Sequence, residues 1–371
     1  MSKQTVIAIC YDFDKTLSPK DMQEYGVIPV LKIKPKKFWK ESNKNAVDNK
    51  MDRILSYMEL IIQKANAQDN TFKESDFNSL GKNVELFPGV DSWFERINKY
   101  ANDRNILIEH YIISAGLKEI IEGTSIAKYF KEIYASCFLY DGYQKPKWPR
   151  QVVNYTQKTQ YLFRISKHSL DLSDEETINN EYHDRERRIP FKNMIYIGDS
   201  DTDIPAMKVL KNYGGVSIGV YNPFAKQIKK VSQLILDGRI DFFAPADYTE
   251  NSILDKYIKR QIDRINISNQ ISIVNQNQTD LIRSMNFPFS VLSLYESDIK
   301  FSVELEELNN IRKNYSRFIN RWKKEARKND NEYIIIEDIF QYINDEKNKL
   351  DLLVKKMQDK IKKESKLINQ K

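Results

Sequence analysis

Two carboxylates one residue apart, Asp12 and Asp14, followed by Lys15 and the hydroxyl of Thr16, stand directly after the apolar run Val6-Ile-Ala-Ile-Cys-Tyr11. Such a pair can divide the work of taking a phosphoryl group, one acid attacking while the other moves protons. Side chains alternate in extended backbone, so both carboxylates face one way and Phe13 points back into the core. A second acidic block, Gly198-Asp199-Ser-Asp201-Thr-Asp203, follows Met194-Ile-Tyr-Ile. Three like charges in five positions after a buried strand repel one another, and a divalent cation resolves the conflict. Hard oxygen ligands with retained waters suit Mg2+. Asp201 and Asp203 also read as an acidic turn that caps a helix starting near Thr202-Asp-Ile-Pro205. Between the two acidic blocks lie Ile112-Ile-Ser114-Ala115-Gly116 and, within Tyr155-Thr-Gln-Lys-Thr, the cation Lys158.

The elements that must position these residues follow from the apolar pattern. The run before Asp12 is long enough for one buried strand and too short for a helix. Ligands in an open α/β sheet bind beyond the carboxyl ends of such strands. The gap from Thr16 to Ser114 exceeds one crossover helix. Within it, Met51 to Ala65 has helical apolar spacing, and Asp69 to Lys82 reads as a second short helix carrying Phe72, Phe77 and Leu80. The gap therefore holds a helical cap from about Ser18 to Phe87. A helix from Leu117-Lys-Glu-Ile-Ile121 is expected to present its free amides to an anion. Ser114 to Lys158 has room for one helix and one strand, Ile133 to Leu139, and Lys158 falls at a helix start. Ser169 to Arg188 reads as a charged surface loop. The core then closes with Val216 to Val220, a strand around Gln233 to Asp237, and a helix through Ser252 to Arg264.

Beyond Asn266 the pattern changes to charged helices with one apolar stripe each. Phe301, Leu305, Leu308, Tyr315, Phe318 and Trp322 form the first stripe, and Ile336 through Ile361 the second, separated by Lys328-Asn-Asp-Asn-Glu. This predicts a helical hairpin whose apolar face packs on the core, on itself or on a second copy.

Composition bounds the class. The 371 residues are 41% apolar, enough for a proper core and two or three units, and no segment approaches membrane-spanning length. The N-terminal apolar run is too short and too soon charged for a signal peptide. The net charge of +7 is diluted in 30% charged residues, so a nucleic-acid partner is disfavoured. Three histidines, His110, His168 and His183, have no zinc-like spacing. Cys10 and Cys137 lie in apolar segments and read as reduced core residues, which gives a cytoplasmic setting as the expectation.

The four blocks, in their order, resemble the motifs of the haloacid dehalogenase (HAD) superfamily of phosphohydrolases, in the phosphoserine-phosphatase-like type with a helical cap between the first two motifs. The resemblance spans about Val6 to Asn266. It implies an α/β fold: a Rossmann-like parallel-sheet core at 1–17 and 87–265, a small C1-type helical cap at 18–86, and an all-helical appendage at 266–371. It also implies that Asp12 is the nucleophile forming an aspartyl-phosphate, and that Asp14 protonates the leaving oxygen and then activates water. Thr16 would hold Asp14 or the phosphate. Ser114 with the amides of Ala115 and Gly116 would bind the phosphate oxygens, and Lys158 would supply full positive charge. By the same pattern Mg2+ is held by Asp199, Asp12 and the Asp14 carbonyl, with Asp203 behind it or as an additional ligand, and Asp201 has no matched role. The family's dehalogenating members lack an acid where Asp14 stands, so phosphoryl chemistry is favoured.

A Mg2+-dependent phosphatase or phosphotransferase acting on a small phosphorylated metabolite is the resulting expectation. The alternative is a regulatory or scaffold protein whose C-terminal helices bind a partner or form a homo-oligomer while the phosphatase core serves as a sensor. Ion-pumping ATPases also carry Asp-Lys-Thr, but with the aspartate before the lysine as nucleophile and with membrane helices. Met22, Gln23, Glu24, Tyr25 and the helix around Tyr57 are the parts of the cap able to reach the pocket, with core packing or a surface position the alternative for each. Glu24 resembles an acid of some amino-acid phosphatases, but its spacing transfers no role.

Overall fold

The computed structural model describes residues 4–68, 72–182, 186–199, 202–224 and 228–294, with scattered helical positions between 309 and 363. The chain divides into two compact units, 1–269 and 270–371. The first is built on a seven-stranded sheet among the described residues. Its strands are β1 (Thr5–Tyr11), β2 (Ile106–Leu117), β3 (Phe130–Tyr140), β4 (Pro146–Gln151), β5 (Met194–Gly198), β6 (Val216–Tyr221) and β7 (Phe242–Pro245). They are ordered β4-β3-β2-β1-β5-β6-β7. All neighbours are parallel except the edge pair β3–β4.

The central strand explains itself from its residues. Thr5 to Tyr11 is rich in β-branched and apolar side chains, and its two faces feed different cores. Ile7, Ile9 and Tyr11 join one cluster with Trp93 and Phe94, while Ala8 and Cys10 join another with Tyr161, Tyr196 and Met207. Burial on both faces is the mark of a strand inside a parallel sheet covered by helices. Its hydroxyl is accommodated too: Trp93 Nε1 donates to Tyr11 Oη at 2.9 Å.

Helices follow in chain order: α1 (Val27–Val30), α2 (Pro35–Asp48), α3 (Arg53–Asn66), α4 (Glu74–Leu80), α5 (Val90–Asn102), α6 (Lys118–Glu122), α7 (Gln157–Lys167), α8 (Glu176–Asn179), α9 (Ile204–Asn212), α10 (Ile228–Leu236) and α11 (Ile253–Leu294). The first four occupy the long gap after β1. α3 starts where Asp52 accepts the amides of Ile54 and Leu55, an N-cap that satisfies two otherwise orphaned donors. The other carboxylate oxygen of Asp52 accepts from Asn154 Nδ2 at 2.7 Å, tying this helix to the segment after β4. α4 runs onto α6 at Gly81 and Gly123. A methyl on Gly123 would collide with the Asn78 carbonyl, and one on Gly81 with the Ile120 carbonyl.

Several sequence expectations are corrected. Gln233 to Asp237 is not a strand: it closes α10, whose Val231 and Leu234 are buried three residues apart. Gly238, at φ 65°, ends that helix. The strand of this region is β7. The interval before Lys158 holds two strands, because Asp141 accepts the amides of Tyr143 and Lys145 and turns β3 back as the antiparallel β4. The long gap contains α2 as well as the two expected helices. Ser169 to Arg188 includes α8, and the guanidinium of Arg164 donates to the carbonyls of Asp171 and Leu172. The terminal core helix does not stop at Arg264 but continues to Leu294.

Among the described residues no helix is long and apolar enough to cross a membrane. Both cysteines are free and buried. His110 is buried between Tyr11 and Asn98, and His168 caps α7 in left-handed backbone; His183 lies outside the described residues. The stripe from Phe301 to Trp322 also lies outside them. Of the second stripe, Val354, Met357 and Ile361 occupy helical positions, with Val354 buried.

Candidate active site

Register brings the blocks to one level. β1 pairs Tyr11 with Ile112 of β2 on one side and with Ile197 of β5 on the other. Asp12 therefore stands one residue past the shared rung, and Ser114 and Asp199 each stand two past it on the flanking strands. Asp12 keeps one more sheet bond, its amide donating to the Ile197 carbonyl at 2.9 Å. The chain then turns sharply: the amides of Thr16, Leu17 and Ser18 all reach the Phe13 carbonyl, with Lys15 at φ 58°. Phe13 points into the core with no exposure, as the alternation predicts.

Lys158, on the first turn of α7, reaches this centre fully buried. Its Nζ lies 3.1 Å from Asp12 Oδ1 and 2.6 Å from Asp203 Oδ1. The Tyr196 hydroxyl donates to the same Asp203 oxygen at 2.8 Å. Burial works to lower the Lys158 pKa, but the two carboxylates outweigh it and hold the ammonium above its ordinary range. Asp12 is pushed up to about 6, first by burial and then by the charge of Asp203, against the pull of Lys158. Asp199 is raised well above the usual carboxylate range by burial and by Asp12 and Asp203. Gly198 is required because a Cβ there would lie 2.6 Å from Asp203 Oδ2.

Asp14 leaves this cluster. Its Oδ1 accepts the Met22 amide at 2.7 Å. Burial, then the charges of Asp21 and Asp12, raise its pKa well above the ordinary value. Lys15 does not turn to it but makes a two-pronged pair with Asp21 at 2.7 and 2.8 Å. Two carboxylates two residues apart thus sit in different surroundings, one beside an ammonium and one kept towards its neutral form.

The expected phosphate donors lie at a bulge near the end of β2, just before α6. β2 remains extended through Leu117, and α6 is only five residues long. The ladder with β3 slips between Ser114 and Leu117, a bulge that takes Ala115 and Gly116 out of strand pairing. Gly116 donates its amide to Ser114 Oγ at 3.1 Å, and the Leu117 amide meets Met22 Sδ at 3.2 Å. The amide of Leu117, the residue that precedes α6, is thus engaged by sulfur. Ala115 contributes its carbonyl, which accepts from the Tyr57 hydroxyl at 2.8 Å. Thr16 makes no bond to Asp14. Its Oγ1 is buried with no hydrogen-bond partner among the described residues, which suits an oxygen acceptor brought by a ligand.

Among the described residues, Asp12, Asp199 and Asp203 form a possible cation site, with carboxylate oxygens within 4.8 Å of one another. Their donor set is all oxygen and carries more negative charge than Lys158 offsets, which fits Mg2+. The Asp14 carboxylate is not part of this group, and one oxygen of Asp203 already serves Lys158 and Tyr196. Asp201 lies outside the described residues. Glu24, considered as a pocket acid, accepts from Trp39 Nε1 at 2.9 Å.

Sequence reasoning missed Tyr196, Tyr248 and Asp21. Tyr248 is buried and donates to the Thr16 carbonyl at 3.0 Å, fixing the turn after Asp14. The available signal for Tyr196 was a hydroxyl inside an apolar strand, which must find a partner when buried.

Three comparisons with known proteins bear on the family of the chain. An uncharacterized protein of Borreliella burgdorferi (strain B31) is 28% identical over 295 residues, covering 70% of this chain and 98% of that protein. A HAD family hydrolase from Salmonella enterica serovar Typhi superposes with TM-score 0.43 at 15% identity, over 64% of this chain and 66% of the other, just under two thirds. A probable phosphoserine phosphatase from Vibrio cholerae gives 0.44 at 11%, over 72% of this chain and 67% of the other. The sequence profile of haloacid dehalogenase-like hydrolases matches residues 9–208, more than half of the chain, from β1 through the acidic block into α9, and the protein therefore belongs to that family.

Proposed function

We propose that the protein is a Mg2+-dependent phosphoric monoester hydrolase working through an aspartyl-phosphate on Asp12. The observation that carries this reading is the split between the two acids. Asp12 lies 3.1 Å from the Lys158 ammonium, whose charge draws its pKa down against burial, whereas Asp14 has no such cation in contact and is held well above the ordinary carboxylate range by burial and by the charges of Asp21 and Asp12. Environments that push two carboxylates apart assign a nucleophile and an acid.

An Asp12 oxygen attacks phosphorus and the ester P–O bond breaks. Asp14 gives its proton to the departing alcohol oxygen. The Asp14 carboxylate then takes a proton from water, the water oxygen bonds to phosphorus, and the Asp12–phosphorus bond breaks to release inorganic phosphate. Thr16 Oγ1 and the Ser114 hydroxyl hold phosphate oxygens, the Gly116 amide orienting Ser114 by donating to its Oγ. Lys158 opposes their charge and aims Asp12, and is itself positioned by Asp203 and Tyr196. Mg2+, held by Asp12, Asp199 and the Asp14 carbonyl with Asp203 alongside, would neutralise charge gathering on the phosphoryl group.

In this reading residues 1–17 and 87–265 are the catalytic core, 18–86 the cap that selects substrate, and 266–371 a separate helical region. The substrate is a small phosphorylated metabolite, and the two buried thiols suit the cytoplasm. Phosphate release from a panel of small esters, with Mg2+ and with chelator, tests the proposal. Asp12→Asn abolishes release, and Asp14→Asn lowers it by about a hundredfold to ten-thousandfold. A wild type with no Mg2+-dependent release, or an Asp12→Asn protein as active as wild type, overturns it.

A further inference from the structure

A cavity of about 210 Å3 opens beside Asp14, walled by Gln23, Trp39, Arg53, Tyr57 and Ala115. Because Asp14 is the proton donor of the proposed reaction, this is the space for the leaving alcohol. Several polar atoms of its wall already have partners. Trp39 Nε1 donates to Glu24, the Tyr57 hydroxyl donates to the Ala115 carbonyl, and Asp21 at the rim pairs with Lys15.

Gln23 brings to this wall a polar atom that is both buried and unpartnered. It is 2% exposed, and its Oε1 is buried with no hydrogen-bond partner among the described residues. Buried amide oxygens are nearly always satisfied, so an orphan lining a ligand cavity calls for a donor that arrives with the ligand. Its position is also fixed relative to the chemistry. Met22, the preceding residue, gives its amide to Asp14, and the short turn Met22–Glu24 is closed by the Glu24 amide on the Asp21 carbonyl and the Tyr25 amide on the Met22 carbonyl. One turn therefore sets the proton that reaches the ester oxygen and the acceptor that faces the rest of the alcohol.

We propose that Gln23 Oε1 is the specificity-determining acceptor, and that the substrate is the phosphate monoester of a small alcohol bearing a second O–H or N–H donor. The proposal rests on the phosphatase reading above and adds the substrate class. An alcohol lacking the donor leaves Oε1 unpaired in the closed site, and a site built to bond a polar hydrogen rejects the analogue that lacks it. The expected discrimination is about tenfold or more in kcat/KM.

The experiment uses the full chain with Mg2+ and matched esters: ethyl against 2-hydroxyethyl phosphate, and n-propyl against 3-hydroxypropyl and 3-aminopropyl phosphate. The donor-bearing ester is expected to lead in each set by about tenfold or more, the hydroxyl and amine arms identifying which donor is read. Gln23→Met, which keeps length and removes the acceptor, is expected to bring the ratio to within about twofold, and Gln23→Glu, which keeps an acceptor, to retain it. Equal rates within each set, or a preference that survives in Gln23→Met, overturns the proposal while leaving the phosphatase reading intact. If no ester turns over, the phosphatase reading fails instead. Calorimetric binding of the same esters to wild type and Gln23→Met then decides the role of Gln23, equal affinities overturning it and a donor preference lost in the variant supporting it.

Discussion

Replacing Asp12, the proposed nucleophile, should stabilise the metal-free protein. Asp12 has an ordinary pKa of 3.8 and is raised to about 6 in the folded chain by burial and by Asp203. The folded state therefore binds its proton more tightly than the unfolded state does. The associated stability is fully present below 3.8, falls as pH rises between 3.8 and about 6, and is absent above. At about 1.36 kcal/mol for each tenfold in proton affinity, the loss at neutral pH is about 3 kcal/mol. Asp12→Asn keeps the shape and resembles the protonated acid, so it should recover most of that energy at pH 7.5. For a unit of this size the gain corresponds to roughly 6–12 °C in Tm. Calorimetry or urea unfolding with chelator present, at pH 7.5 and pH 4, measures it. The gain should be large at the higher pH and nearly absent at the lower. Mg2+ should then narrow the gap by stabilising the wild type, by about 2.7 kcal/mol at a hundredfold excess over its Kd. An Asp12→Asn protein that is less stable than wild type at pH 7.5 without metal, or whose gain persists unchanged at pH 4, refutes the reasoning.

Lys158→Met should destabilise by roughly 3–5 kcal/mol at pH 7.5, because it leaves Asp12 and Asp203 buried without their cation; the deficit in urea unfolding should shrink at pH 5, where Asp12 regains its proton. Tyr248→Phe should cost about 1–3 kcal/mol, since the Thr16 carbonyl loses its buried donor, and should lower kcat more than it raises KM by loosening the turn after Asp14. Gly123→Ala should cost roughly 1–3 kcal/mol by forcing α6 away from the Asn78 carbonyl, measured as a lowered urea midpoint with the Mg2+ dependence of turnover retained.

What could be read from the chain was local. An apolar β-branched run ending in Asp12-Phe-Asp14 announces a buried strand with two carboxylates just past its end, since side chains alternate in extended backbone and the alternation turns Phe13 into the core. The helix start at Lys158 and the helices around Met58 and Phe77 were legible for the same reason, their apolar residues recurring at three and four. The segment Gln233 to Asp237 reads as a strand because five consecutive residues cannot distinguish period 2 from period 3.6; only with Ile228 and Val231 included does the helix show. The β3–β4 hairpin carried a turn signal in Asp141-Gly142, outweighed by prolines at 146 and 149 that suggest no strand but are tolerated on an edge.

The sequence by itself determined which groups are available: the acids, the lysine, the hydroxyls and the order of strands that brings them to one end of a sheet. Only the tertiary structure decided how the charges divide. Asp203 and Tyr196 are seven residues apart in the chain and Lys158 is 45 from Asp203, yet the three meet inside 3 Å contacts. The Met22 amide and the Asp21 charge reach Asp14 through a turn, not through a strand. Protonation depends on burial and on neighbours within a few ångströms, and those neighbours come from different elements, so the distinction between Asp12 and Asp14, identical as residues, is a property of packing alone. The same holds for Gln23, whose significance lies in an oxygen that folding buries and leaves without a partner.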